Sequence, residues 1–206
     1  MRRIVGAAFV TLDGVMQGPG GPTEDPTGGF RFSGWLPPVG DEAIDGKIGE
    51  IFGRPFDLLL GRRTHDIFAA YWPYAPDEMA DIRDPFNACT KYVVTHGDDP
   101  LAWENSERVS IEALRAIKQG DGPDLVIQGS STLYPQLLDA GLLDELTLMM
   151  SPIILGQGKR LVAMGHDIFG ADIERVADAR HLVRCVRPVG GEDVMGAAAE
   201  QQVERS

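Results

Sequence analysis

"DLLLGRRTHDIFAAYWP", from Asp57 to Pro73, decides the fold. Three adjacent leucines read as a strand buried on both faces, the pattern of a parallel sheet with helices above and below it. Gly61 stops the run. The residues after it space their apolar side chains for a helix, and Pro73 ends that helix. Strand, tight turn and helix form the repeating unit of an α/β protein. The same unit recurs on either side. "RIVGAAFVTL" (3–12) is a first buried strand, "KYVVTH" (91–96) a third, and "DLVIQG" (124–129) a fourth that leads into the helix-forming "SSTLYPQLLDAGL". "DELTLMMSPIIL" (144–155) is a fifth strand, in which Pro152 marks a bend or a free edge. Residues 41–52 and 111–119 carry helical periodicity. "IERVADARHLVRCVRP" (173–188) is expected to close the chain as an antiparallel hairpin. We therefore expect one α/β domain over residues 1–189, a sandwich around a mostly parallel central sheet with that hairpin at its edge. Residues 190–206 are expected to form a tail.

The whole chain supports one core of ordinary size, with 206 residues, 43% hydrophobic and 24% charged. A formal net charge of −12 argues against nucleic acid and against anionic membrane surfaces, both of which need a basic footprint. No apolar run reaches bilayer length. Asp13 interrupts the basic-then-apolar N-terminus, which reads as a strand and not as a leader. Cys89 and Cys185 form no CxxC pair and read as free thiols in a reducing cytoplasm. Among His65, His96, His166 and His181 no helical metal-ligand pair occurs, so no metal is expected.

Ligands of an open α/β sheet bind beyond the carboxyl ends of its strands. Those ends carry one kind of chemistry here. The first strand runs into the Gly- and Pro-rich loop 13–29, too long for a plain connection. The second gives Gly61-Arg62-Arg63-Thr64, the third Thr95-His96, and the fourth Gly129-Ser130-Ser131-Thr132. Glycines, hydroxyls and cations at helix starts suit phosphate groups, and arginine adds a bidentate clamp. Each residue also has a plainer reading: a tight turn at Gly61, a helix cap at Thr64 or Ser130, a solvated pair at Arg62 and Arg63. The nucleotide signatures GxGxxG and GxxxxGK[ST] are absent.

Four segments, "FVTLDGVM", "DLLLGRRTHDIFAAYWP", "KYVVTH" and "DLVIQGSSTLYPQLLDAGLLDELTLMMSPIILGQGKRL", together resemble the dihydrofolate reductase superfamily. The closer likeness is to the reductase domain of bifunctional riboflavin-biosynthesis enzymes. The resemblance implies a three-layer dihydrofolate reductase-like sandwich and an NADPH-dependent oxidoreductase. It implies that Arg62 holds the cofactor's 2′-phosphate with Arg63 as second candidate, and that Thr64 caps a helix facing the diphosphate beside Gly61. Thr95 and His96 would lie by the adenosine. Gly129, Ser130, Ser131, Thr132 and Leu133 would pack against the diphosphate and nicotinamide, and Asp13, Gly14, Val15 and Met16 would close over the nicotinamide. Folate-reducing members join two adjacent glycines by a cis peptide at the position of Gly129-Ser130. The serine here leaves that geometry open.

The implied substrate is a small planar heterocycle or a carbonyl compound, of the 5-amino-6-(5-phosphoribosylamino)uracil type or of the dihydrofolate type. Asp45, sixteen positions before Gly61, corresponds to the substrate carboxylate of folate reducers, or is an ordinary acid on a helix surface. Asp13 is a catalytic carboxylate, or only a turn residue. Trp35, Phe68 and Trp72 would wall an aromatic pocket, or pack the core. Lys159 would meet a sugar phosphate, or lie in a solvated turn. The resemblance further implies a homodimer. A second reading of a different class is an NADP(H)-binding sensor or assembly module without catalysis.

Overall fold

The computed structural model describes residues 1–161 and, beyond them, the strands Asp172–Arg175 and Leu182–Val186 by their backbone. The turn of the expected hairpin and the expected tail at 190–206 lie outside the described residues. In chain order the elements are β1 (Ile4–Thr11), α1 (Glu42–Phe52), β2 (Phe56–Gly61), α2 (Arg62–Tyr71), α3 (Ala80–Ala88), β3 (Lys91–Val94), β4 (Ser106–Val109), α4 (Ile111–Gln119), β5 (Asp124–Gln128), α5 (Leu133–Asp139), β6 (Glu145–Ser151), β7 (Asp172–Arg175) and β8 (Leu182–Val186).

The first six strands run parallel in the order β4-β3-β2-β5-β1-β6, and β8 and β7 follow antiparallel beyond β6. The leucine triplet explains the layering. Leu58, Leu59 and Leu60 are all fully buried. Leu58 and Leu60 pack with Trp72, Phe86 and Val126 on one face, while Leu59 joins Leu114, Leu133 and Leu137 on the other. Helices α1, α2 and α3 thus cover one face, and α4 and α5 the other. Alternate side chains of one strand feed two cores, which is why the strands read as unbroken apolar runs.

Local chemistry sets several helix starts. The Asp41 carboxylate accepts from the N–H groups of Ala43 and Ile44 and caps α1, and the Ser110 hydroxyl accepts from Ala113 and caps α4. Gly6 in β1 is required by space. A Cβ there would lie 2.6 Å from the ring of Tyr134, whose hydroxyl reaches the carbonyls of Ala7 and Ile127 between β1 and β5.

Two elements escape the sequence reading. Strand β4 is a polar edge with only Val109 buried, so no apolar period marks it. Helix α3 carries Pro85 inside it and follows a Pro-rich stretch, which reads as loop.

The placement of β5 between β1 and β2 matters for function. The chain skips a position when it passes from β1 to β2, and β5 later fills it. The carboxyl ends of β1, β5 and β2 therefore adjoin on one edge, and so do the loops that leave them.

Candidate active site

A cleft opens at that edge, bounded by the loop after β1, the start of α2 and the turn after β5. The β2–α2 and β5–α5 turns are tied to each other. The Gly61 N–H donates to Ser130 Oγ at 3.0 Å, and the Ser130 N–H donates to Thr64 Oγ1 at 3.0 Å. Gly129 and Ser130 both lie in the left-handed region, at φ 66° and 56°. For a serine that conformation costs about 1–2 kcal/mol; the two hydrogen bonds offset it. At Gly129 a Cβ would meet Thr64 Cγ2 at 3.0 Å on top of the positive φ, so glycine is the residue that fits.

This corrects the role expected of Thr64. It caps nothing: α2 begins at Arg62 with Gly61 in the N-cap place and no side chain on its first N–H groups. The Thr64 hydroxyl, inside the first turn, is turned to the neighbouring loop instead. The first turn of α2 contains no acid and two arginines, the wrong sign for a helix N-terminus.

Each arginine is offset by an acid elsewhere, and the two diverge. Arg62 Nε lies 2.9 Å from both oxygens of Asp66, and its Nη groups donate to the carbonyls of Asp99 and Pro100, after β3. Asp66 also meets Nδ1 of the buried His65 at 3.0 Å, and His65 Nε2 meets Ser106 Oγ at 3.1 Å. Burial raises the pKa of Asp66, but Arg62 and His65 outweigh it and leave it lowered. Arg63 turns the other way, to the loop after β1. Its Nε and Nη2 donate to Asp25 Oδ1 at 3.2 and 2.8 Å.

Asp25 is the node of the cleft, and the sequence does not single it out. Its other oxygen accepts from Lys159 Nζ at 2.6 Å, and the Thr27 hydroxyl donates to Oδ1 at 2.5 Å. Burial pushes its pKa up; Lys159, Thr27 and Arg63 overcome that and hold it at about 2, so it is ionised at every working pH. Gln17 knots the same region. Its Nε2 donates to the carbonyls of Asp25 and Thr27, and its Oε1 accepts from the Lys159 N–H at 3.0 Å. No local spacing reveals these contacts, because Lys159 lies 134 positions from Asp25.

Met16, Gly61, Arg62, Arg63 and Thr64 line the cleft, with Phe68 beside them. Gly129, Ser130, Ser131, Thr132 and Lys159 complete that set. Others sit elsewhere. Asp13 accepts from the Thr11 hydroxyl at 2.6 Å and from the N–H groups of Leu155 and Gly156, all of which lower its pKa against a burial penalty; it clamps two loops outside the lining. Gly14 forms the turn with φ 77°, and Val15 is buried against Phe30 and Trp35. Asp45 is exposed on α1 and does not face the cleft, because the helix turns Ile44 and Ile48 inward instead. Trp35 is buried beneath the loop and donates from Nε1 to the Gln17 carbonyl. Trp72 packs on Phe86, ring centres 4.9 Å apart, as core. Leu133 is core under Gly61. Thr95 accepts from the Gly97 N–H and His96 is exposed; both lie outside the lining. Among the described residues no group of His, Cys, Asp and Glu is arranged to hold a metal, and no helix is long and apolar enough to cross a membrane.

The three-layer α/β sandwich is dihydrofolate reductase-like in fold, and solved structures share it. A protein of Shewanella sp. PV-4 named for riboflavin biosynthesis superposes with a TM-score of 0.62 at 21% identity, covering 92% of this chain and 100% of that one. Dihydrofolate reductase from Enterococcus faecalis, complexed with NADP(H) and RAB-propyl, gives 0.56 at 16% identity over 91% and 97%. A pyrimidine reductase-like protein from Corynebacterium diphtheriae gives 0.53 at 14% over 91% and 92%. Among curated sequences, the uncharacterized protein YyaP of Bacillus subtilis (strain 168) is 26% identical over 170 residues, 78% of this chain and 80% of that one. The sequence profile of the RibD C-terminal domain matches residues 2–169. The chain belongs to the RibD C-terminal domain family.

Proposed function

We propose that the protein is an NADPH-dependent reductase that passes hydride to a C=N or C=O group of a small planar heterocycle. The observation that carries this reading is the start of α2: uncapped N–H groups and two arginines open on a cleft beside a left-handed Gly-Ser turn. Cations at a helix N-terminus are unfavourable in isolation and become favourable once a phosphorylated ligand lies there. The residues present therefore fit the cofactor. Arg62, preorganised by Asp66 on the β3 side, would hold the 2′-phosphate, and the first turn of α2 and the turn at 129–132 would receive the diphosphate. NADPH supplies the hydride; the protein binds, orients and excludes water. The loop 13–29 would act as the lid, and Phe68 and Lys159 would meet the substrate. Within this reading the protein works in the cytoplasm as a homodimer, which sedimentation of the purified chain tests.

Asp25 is held ionised, so this carboxyl is not the acid that completes the reduction. That same observation is what favours the alternative, an NADP(H)-binding module without catalysis. Loss of NADPH absorbance separates the two when 5-amino-6-(5-phosphoribosylamino)uracil, dihydrofolate, dihydropterins and simple carbonyls are offered in turn. Turnover of one of them supports the reductase. NADPH binding with none of them reduced supports the module, and no binding at all overturns both.

A further inference from the structure

One residue that lines the cleft carries a buried polar atom with no partner. Gln128 ends β5 and lines the cleft, and its side-chain oxygen is buried without a hydrogen bond. The register aligns Gln128 with Ala7 of β1, and Ala7 in turn with Thr147 of β6, so the three share one row on the face that α1 covers. Thr147 is fully buried and its hydroxyl is also unpartnered. Folded proteins satisfy nearly all buried polar atoms. An orphan amide oxygen on a residue that lines a cleft therefore points to an absent bonding partner. A carboxamide presents a donor and an acceptor side by side, and turning it over only exchanges them. Its complement is the cis-amide edge of a ring, where N–H and C=O stand side by side. A carboxylate or phosphate offers acceptors only and leaves the Gln128 oxygen unpaired.

We propose that Gln128 is the residue that reads the substrate, pairing with the cis-amide edge of a planar lactam-type ring. This rests on the reductase reading for the ring's role as substrate, not for its binding. A site built to pair a substrate N–H rejects the analogue that lacks it. Gln128 is a specificity residue here, and the proton and hydride steps do not pass through it.

The test is titration of 2-pyridone and N-methyl-2-pyridone, followed by ligand-observed NMR with and without NADP⁺, for the wild type and for Gln128→Leu. The wild type should bind 2-pyridone at least about tenfold more tightly than its N-methyl analogue. Gln128→Leu should lose that preference, keep NADP⁺ affinity within about twofold, and melt no lower than wild type, because it removes an unpaired buried atom. A purely structural glutamine predicts the reverse, a lower melting temperature with the preference intact. Gln128→Met serves if the leucine variant does not fold. The proposal is overturned if wild type binds both rings alike or neither, or if the preference survives in the variant. Failure of NADP⁺ to bind, with the ring preference still dependent on Gln128, would instead refute the reductase reading alone.

Discussion

Asp25 is the residue on which the cleft turns, and the one that the sequence hides. It sits in "GGPTEDPTGG", a stretch legible as a functional loop but not as a contact list. Lys159, Arg63 and Thr27 hold its pKa at about 2, below the ordinary 3.8. A carboxyl depressed in the folded state stabilises fully above the unfolded value, and that stabilisation is lost as pH falls from about 4 through about 2. Asp25→Asn should therefore lower stability at neutral pH by roughly 1–2 kcal/mol and flatten the acid limb of the unfolding curve over that window. Denaturant titrations at a series of pH values read both. A parallel downward shift at every pH would show that the carboxylate's charge is not what matters. At this scale the sequence reading is uneven for a physical reason. Arg62, Thr64 and Ser130 stand within three residues of a strand end, where chain direction alone puts them at the edge. Asp13 also follows a strand, yet its carboxylate is spent on Thr11, Leu155 and Gly156, and nothing in "TLDG" reports residues so far along the chain.

At the scale of elements, the paired turns after β2 and β5 hold the cleft open in one shape. The Thr64 hydroxyl accepts from the Ser130 N–H and the Ser130 hydroxyl from the Gly61 N–H, across 66 and 69 positions of chain. Thr64→Val and Ser130→Ala should each cost about 1–2 kcal/mol. The double variant should cost clearly less than their sum, because both act on one interlock. A double-mutant cycle by chemical denaturation measures this, and strict additivity would show that the turns are independent. Strands with apolar runs, and the helices at 41–52 and 111–119, were readable, since burial imposes a local period. Strand β4 and helix α3 were not: one is a polar edge, and the other carries proline in its interior. Aromatic residues were legible as buried but not as to what they pack on. Trp72 and Trp35 went to two different cores, while Phe68 alone of the three reached the cleft.

For the whole molecule, the order β4-β3-β2-β5-β1-β6 brings three loops distant in sequence to one edge. The chain's acidity leaves that edge as a local exception. Arg62 leans to the β3 side and Arg63, with Lys159, to the β1 side, so one cleft has a cation at each flank. This division makes the two adjacent arginines distinct in position: Arg62 pairs beside β3, and Arg63 pairs with Asp25 of the loop after β1. The proposed function requires that the cleft take NADPH by its 2′-phosphate. The most direct measurement is fluorescence titration of NADPH and NADH against wild type and Arg62→Ala. Wild type should prefer NADPH, and the variant should lose about 1.5–3 kcal/mol of NADPH affinity, tenfold or more, while NADH changes by less than about twofold. Equal losses for the two cofactors, or no NADPH binding by the wild type, would contradict it.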